Sequence, residues 1–340
     1  MSRRAAASGG EPAGTHTIGF VLVPDFTLMA FTSAIEPLRL ANRTSGRPVF
    51  EWRLFSEDGL PVRASNGITV DVDGSFAELE TVERIVVCGA LDIERHDHAA
   101  LIQRLRRLAP RGRSIGAVCT GSYVLAKAGL LDGYRCTIHW QNRDSLLESF
   151  PGLQVTEDLY EIDRDRFTCA GGTAAIDLML SFVAMKCGSA IAAQVTDGLI
   201  HHRIREKQER QRMGLRARLG VANEKVLAAV ARMENHLEEP LSCVEVADAV
   251  GLSPRQLERL FQKYIGKTPT RYYLDLRLNR ARALLRQTSL SILAVGVACG
   301  FVSASHFSKC YADLFGRSPS DERAGARRTP APAPVLRRTA

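Results

Sequence analysis

LSCVEVADAVGLSPRQLERLFQKYIGKTP at residues 241–269 and LSILAVGVACGFVSASHFSKCYADLFGRSP at residues 290–319 are two copies of one layout. Each has a short apolar helix, then a glycine (Gly251 or Gly300) followed by an apolar residue (Leu252 or Phe301), then a second helix that begins at a serine. Gly251 aligns with Gly300, Leu257 with Phe307, Phe261 with Tyr311, Gly266 with Gly316 and Pro269 with Pro319. A tight turn between two helices requires positive φ, which glycine tolerates. Ser253 and Ser303 are placed to cap the second helix by accepting a backbone N–H bond. Leu257, Leu260 and Phe261 would dock that helix on the first. The opposite face then offers Arg255, Gln256, Arg259 and Lys263, and in the second copy Ser305, His306 and Lys309. Arg and Gln suit bidentate contacts with guanine and adenine edges, and Lys suits phosphate. The expected partner of this face, caps included, is double-stranded DNA. A plain helical bundle also contains amphipathic helix pairs; the duplication separates the two readings.

The stretch between the copies, RYYLDLRLNRARALLRQT at 271–288, reads as one amphipathic helix of about 18 residues and on the order of 27 Å. It could place two recognition helices in successive major grooves, which recur roughly every 34 Å.

Charge follows the same division. The 340 residues carry a net charge of +8, but residues 1–200 hold 20 Lys+Arg against 24 Asp+Glu, and residues 201–340 hold 25 against 13. A basic rear half suits a polyanion, although a solvated basic face with a basic tail would give the same count. No stretch approaches the roughly 18 consecutive apolar residues of a membrane span. MSRRAAASGGEPAGTH has no apolar run behind its basic start, so it reads as a disordered lead-in rather than a secretory signal, and a cytoplasmic, nucleoid-associated protein is expected. The eight cysteines form no C-x-x-C pair, so neither a zinc site nor a disulfide framework is expected, and no cofactor is implied.

Ahead of the basic half, IGFVLV (18–23), RIVVCG (84–89) and SIGAVC (114–119) read as buried strands, each followed by a helix-like segment. This predicts an α/β domain with a flavodoxin-like parallel sheet flanked by helices. ITVDVDG (68–74) alternates as a strand, and DLYEIDRDRFTCAGG (158–172) as a hairpin turning through Asp163–Asp165. The expected organisation is a disordered lead-in at 1–15, the α/β domain at 16–200, a charged linker at 201–221, an all-α tandem helix-turn-helix domain at 222–320 and a disordered basic tail at 321–340.

RALLRQTSLSILAVGVACGFVSASHFSKCYADLFGRSPS resembles the signature of the AraC/XylS family of regulators, over roughly 222–320. Ala294 and Gly296 depart from it, standing where the family usually has an acidic residue and Ala. Gly296 should cost its helix about 1 kcal/mol relative to Ala. In SIGAVCTGSYVLAKAGLLDGYRCTIHW (114–140), Cys119 sits where a strand turns sharply into a helix, as in a nucleophile elbow, with its thiolate favoured by the helix dipole and His139 able to approach it. The segment is similar to the PfpI-like branch of the class I glutamine amidotransferase-like fold, with Cys119, Thr120 and Gly121 on its C-T-G. PfpI-like domains fused to AraC-type domains make up the GlxA family, and that resemblance covers almost the whole chain.

The resemblance implies a transcription regulator, an activator by family habit, that dimerises through the front domain, works with RNA polymerase and responds to a small-molecule inducer. Look-alikes within the family point to an amino acid or quaternary amine such as arginine, glycine betaine or carnitine. Glu36, Cys119, Thr120, His139 and Trp140 are the lining candidates, since a cation calls for carboxylate and aromatic groups. Matching VPDFTLMAFTSAIEPL (23–38) puts Ala30 where the enzymes of the branch carry the acid that assists the cysteine, and Glu36 at a separate acidic position. No catalytic residue is therefore assigned. Cys119 lines a pocket as a relic, works as a nucleophile or redox sensor, or is purely structural. The reading from another class is a PfpI-like hydrolase or hydratase with an attached DNA-binding domain.

Overall fold

A computed structural model of the chain describes residues 14–327. The lead-in expected to be disordered lies outside these residues except for its last two, as does the tail from 328 onward. The chain forms two compact units that divide between Gln211 and Arg212.

The first unit is built on seven strands: β1 (His16–Leu22), β2 (Phe50–Ser56), β3 (Gly74–Ser75), β4 (Arg84–Cys88), β5 (Ser114–Val118), β6 (Tyr160–Asp163) and β7 (Arg166–Cys169). Their order across the sheet is β6-β7-β5-β4-β1-β2-β3. All neighbours run parallel except β6 and β7, an antiparallel hairpin that turns at Arg164 with φ of 55°. The apolar runs become central strands because helices cover both faces and bury Phe20, Val21, Ile85, Val86, Val87 and Ile115. Val86 of β4 pairs with Phe20 of β1 on one side and Gly116 of β5 on the other. The helices are α1 (Leu28–Ser45), α2 (Ala99–Leu108), α3 (Ser122–Lys127), α4 (Arg143–Ser149), α5 (Ala174–Cys187) and α6 (Ser189–Gly198), with α1 packed on α5 and α6.

Two segments differ from expectation. Of residues 68–74, Thr69–Val70 forms a short ladder with Val62–Arg63, and Gly74 begins β3. The remainder is held at the sheet edge by Asp73, whose carboxylate accepts the Leu54 N–H at 2.7 Å. Strand β2 carries no uniform apolar run, because it lies near that edge and its residues Glu51–Leu54 stay partly exposed.

The second unit is helical: α7 (Leu215–Leu219), α8 (Glu224–Asn235), α9 (Cys243–Ala249), α10 (Pro254–Ile265), α11 (Pro269–Gln287), α12 (Ile292–Ala298), α13 (Ala304–Phe315) and α14 (Pro319–Arg327). Helix α11 spans 19 residues and serves two cores. Its first half adds Tyr273 to the cluster of Val226, Val230, Met233, Val246, Leu257 and Phe261. Its second half adds Leu278, Ala281, Leu284 and Leu285 to that of Val295, Phe301, Phe307 and Tyr311. Residues 321–327, expected in a disordered tail, instead continue α14, because the buried Glu322 is gripped by Arg286 at 2.5 Å and Arg282 at 3.4 Å.

The segment expected to be a solvated linker, 201–221, is ordered in two parts. Residues 201–211 lie on the first unit, where His201 and Arg205 bind Asp177 and Lys207 binds Glu161. Helix α7 belongs to the second unit: Leu215 and Leu219 pack on its first core and Arg218 pairs with Glu234 at 2.8 Å. Together with Arg203–Glu209 and Arg216–Glu224, these ion pairs take up most of the charge that suggested solvation.

Candidate nucleic-acid interface and ligand site

Two helix-turn-helix units stand in the second unit, α9–α10 and α12–α13. Each turn passes through a glycine with positive φ, 64° at Gly251 and 74° at Gly300. The carbonyls freed at each turn are capped by a cation from the helix beneath. Lys225 Nζ donates to the Val250 and Gly251 oxygens at 2.6 and 3.2 Å. Arg277 donates to the Cys299 and Gly300 oxygens, both at 2.7 Å, and lies over the Phe301 ring.

The second helix of each unit docks through the aligned pairs, Leu257 with Phe261 and Phe307 with Tyr311, all fully buried. Ser253 caps α10 by accepting the Gln256 N–H, and Ser303 caps α13 by accepting the His306 N–H, both at 3.3 Å. On α10, Arg255, Arg259 and Lys263 are exposed, one helical turn apart along one face. Gln256 is exposed too, but its side-chain oxygen is committed, accepting the Ser253 N–H at 2.8 Å to complete a capping box. On α13, Ser305, His306 and Lys309 are exposed, with His306 Nε2 3.3 Å from Cys310 Sγ.

In the first unit the elbow forms where β5 ends. Cys119 holds φ of 60°, a conformation strained for a residue with a side chain. The strain is accommodated because close neighbours lack a Cβ: one on Gly171 would fall 2.6 Å from Cys119 Cβ, and one on Gly89 would fall 2.1 Å from Gly121 N. The site lies at the carboxyl ends of the parallel strands, beside the point where the order reverses between β1 and β4, where open α/β sheets place ligands.

The thiol is buried and meets Thr27 Oγ1 at 3.7 Å. Burial pushes the Cys119 thiol up, with only partial relief from Thr27 and Thr120. The helix dipole expected to favour a thiolate is overridden, since desolvation penalises the charge and α3 has only six residues. Cys169, buried in the neighbouring strand, is pushed up to about 12 by the same cause. Ala30, in the first turn of α1, is buried and supplies only a methyl group.

The remaining lining candidates are placed unequally. Thr120 is buried, its hydroxyl donating to the Ala90 oxygen. The His139 ring accepts the Gln141 N–H at 3.4 Å and stands 5.7 Å from the exposed Trp140 ring, and burial lowers its pKa. Glu36 lies about two helical turns beyond Thr27 along α1, and its carboxylate is held by Arg39 at 2.6 Å. The structure therefore does not bring Glu36 to the elbow.

A different carboxylate stands nearer. Glu94, just after β4, faces Asn142 and Tyr123, and Tyr123 lies one turn of helix after Cys119. Glu94 Oε2 and Asn142 Nδ2 are both buried and approach each other, which tempers the Glu94 pKa, but they form no hydrogen bond of good geometry. Burial, reinforced by Asp92, pushes the Glu94 carboxyl up to about 7. No sequence pattern marks Glu94, because it meets Asn142 and Tyr123 only when the loop after β4 folds against the turn at 140–142. Among the described residues no cluster of His, Cys, Asp and Glu could hold a metal ion, and no helix is long and apolar enough to cross a membrane.

An α/β sheet with a nucleophile elbow, joined to paired helix-turn-helix units, defines a two-module DNA-binding regulator. Residues 17–185 match the DJ-1/PfpI family and residues 246–325 a helix-turn-helix domain. The chain is 47% identical over 310 residues to the HTH-type transcriptional regulator GbdR of Pseudomonas aeruginosa, covering 91% of this chain and 84% of that one. It is 46% identical over 325 residues to the regulator CdhR of the same species, covering 94% and 96%. A crystal structure of an AraC family transcriptional regulator from Pseudomonas putida superposes with a TM-score of 0.51 at 31% identity, over 54% of this chain and 99% of that one. The chain belongs to the GlxA-type family of transcription regulators, in which a DJ-1/PfpI domain is joined to an AraC-type DNA-binding domain. It is a DNA-binding regulator rather than an enzyme.

Proposed function

We propose that the chain is a cytoplasmic, nucleoid-associated transcription activator whose front domain binds a small cationic metabolite, an amino acid or quaternary amine such as arginine, glycine betaine or carnitine. Binding shifts the populations of states in which Arg255, Arg259 and Lys263 of α10 and Ser305, His306 and Lys309 of α13 engage an operator. It works as a homodimer on repeated half-sites and in contact with RNA polymerase. One observation carries the ligand class: two complementary polar atoms, Glu94 Oε2 and Asn142 Nδ2, are buried near Tyr123 of the elbow helix and have only their weak approach to each other. Poorly paired buried polar atoms are costly, and a cation with a polar acceptor would satisfy both better than they satisfy each other. Thr120, His139 and Trp140 line the same end of the sheet, with Trp140 as the aromatic face, and Cys119 is a neutral wall residue.

The test is a thermal-shift and calorimetric screen of arginine, glycine betaine and carnitine across pH. Glu94 must be ionised to bind a cation, and its carboxyl lies at about 7. Affinity should therefore be full above that pH and fall by about tenfold per unit below it. In the free protein the sign is opposite. The folded state binds more protons than the unfolded one between the ordinary carboxyl range and about 7, so stability falls as pH rises through that window. Glu94→Gln should remove both dependences and abolish the ligand shift. A ligand that binds Glu94→Gln as well as the wild type would overturn the assignment of that residue.

A further inference from the structure

We propose that residues 200–211 are a releasable strap that carries the state of the ligand site to the DNA-binding unit by setting the length of the tether between the two. The inference rests on the ligand-gated reading above. From Arg205 to Gln211 the exposure alternates, with Arg205, Lys207, Glu209 and Gln211 turned inward and Glu206, Gln208 and Arg210 outward. The segment lies on the first unit as a turn, the Glu209 N–H donating to the Glu206 oxygen at 3.0 Å, and its backbone is held by the Leu159 N–H donating to the Lys207 oxygen at 2.8 Å and by a bridge between Asp158 and Arg210.

The strap's grip is electrostatic. Asp177 is fully buried in α5, and its carboxylate accepts from the Arg205 guanidinium at 2.7 and 3.0 Å and from the Arg205 backbone N–H at 2.7 Å. Buried Glu161 accepts from Lys207 at 3.2 Å. Detachment would strip buried Asp177 of both His201 and Arg205, while Glu161 would lose Lys207 and keep Arg135 at 2.8 Å, so the cost falls on Asp177 and the strap has two discrete states rather than a gradual drift.

Its last residue is wired to the site. Gln211 Nε2 donates to Thr137 Oγ1, the Ile138 oxygen and the Asp158 oxygen, each at 3.0 Å. The Thr137 oxygen in turn accepts from Ser122 Oγ at 2.7 Å, at the start of the helix that follows Cys119. Ile138 precedes His139. A ligand that shifts the elbow helix or the turn at 139–142 therefore acts on the acceptors of Gln211.

The consequence is a change of reach. With the strap docked, four residue steps separate Gln211 from Leu215, which packs on the first core of the second unit, and span at most about 14 Å. Released back to Leu199, the tether has sixteen steps and reaches about 55 Å. A fourfold longer tether changes the geometries and effective concentration at which the DNA-binding unit meets its site.

The experiment uses the full-length chain with three readouts: melting temperature with and without glycine betaine, arginine or carnitine; the rate of trypsin cleavage at Arg203, Arg205 and Lys207; and affinity for a duplex carrying the upstream region of its own gene. Gln211→Ala should speed strap cleavage at least tenfold, change DNA affinity at least fivefold without ligand, and keep the ligand-induced melting shift. An intact ligand shift with unchanged cleavage and DNA affinity in both Gln211→Ala and Lys207→Met overturns the strap. Absence of any ligand shift in the wild-type chain overturns the ligand reading instead. A DNA affinity changed by Gln211→Ala would then still support the tether.

Discussion

The α9–α10 and α12–α13 units share one plan and are held together by different means. In the first, both helices begin with a reciprocal capping box, Ser242 with Glu245 and Ser253 with Gln256. In the second, Ser291 and Ser303 still accept a backbone N–H, but Ala294 and His306 return nothing to the cap. The cores compensate for each other in volume. Ala247 packs with Leu257 in the first unit, whereas Gly296 leaves room for the larger Phe307 in the second, with a would-be Cβ 3.3 Å from the Phe307 ring. Gly296 thus lowers helix propensity but admits an aromatic core residue, which explains one departure from the family pattern. Ala294 has no such compensation. The exposed faces differ as well: α10 carries three cations where α13 carries Lys309 alone. A common backbone plan therefore permits one well-capped, strongly basic reader and one less capped, nearly neutral one.

Substitution of the paired glycines should separate the units most sharply. A Cβ on Gly300 would fall 2.5 Å from Pro240 Cγ and 2.8 Å from the Glu238 oxygen, whereas one on Gly251 meets only the end of the long Lys225 side chain at 3.1 Å. Gly300→Ala is expected to cost about 3 kcal/mol, from positive φ plus a backbone clash, and Gly251→Ala about 1 kcal/mol from φ alone. Urea denaturation of the two variants checks this, and equal losses would break the comparison. Next in size is DNA affinity. Arg255→Ala and Arg259→Ala should each weaken the specific complex by roughly 1–3 kcal/mol, and Ser305→Ala by under about 1 kcal/mol. Titration of an operator duplex by fluorescence anisotropy measures the ratio, and equal effects would make the units equal readers. The smallest effect is a gain: Ala294→Glu restores the missing half of the box at Ser291 and should stabilise the chain by about 0.5–1 kcal/mol. A melting temperature unchanged by Ala294→Glu would show that this cap was already satisfied.

Much of this was legible in the residues. Gly251 and Gly300, the serine caps and the apolar spacing at Leu257 and Phe261 are local signals, because a turn, a cap and a helix face each depend on residues within about one turn of chain. The β1, β4 and β5 runs were legible for a similar reason, since central parallel strands must be apolar on both faces. Strand β2 was not, because beside a two-residue edge strand it stays partly exposed and its composition need not be apolar. Nor was the commitment of Gln256 to its cap, because its side chain can either close a box or reach outward.

What the sequence by itself determined is the pair of modules and the two helix-turn-helix units, whose patterns are short-range and whose duplication makes them unmistakable. The tertiary structure alone decided three things: that Glu94 rather than Glu36 faces Asn142 and Tyr123, that burial raises the Cys119 thiol pKa, and that residues 201–211 are fastened rather than free. Each depends on partners tens of residues away, Asn142 for Glu94, Thr27 for Cys119, Asp177 and Glu161 for the strap. Burial and ion pairing at such distances arise only when the chain has closed on itself, and no local pattern encodes them.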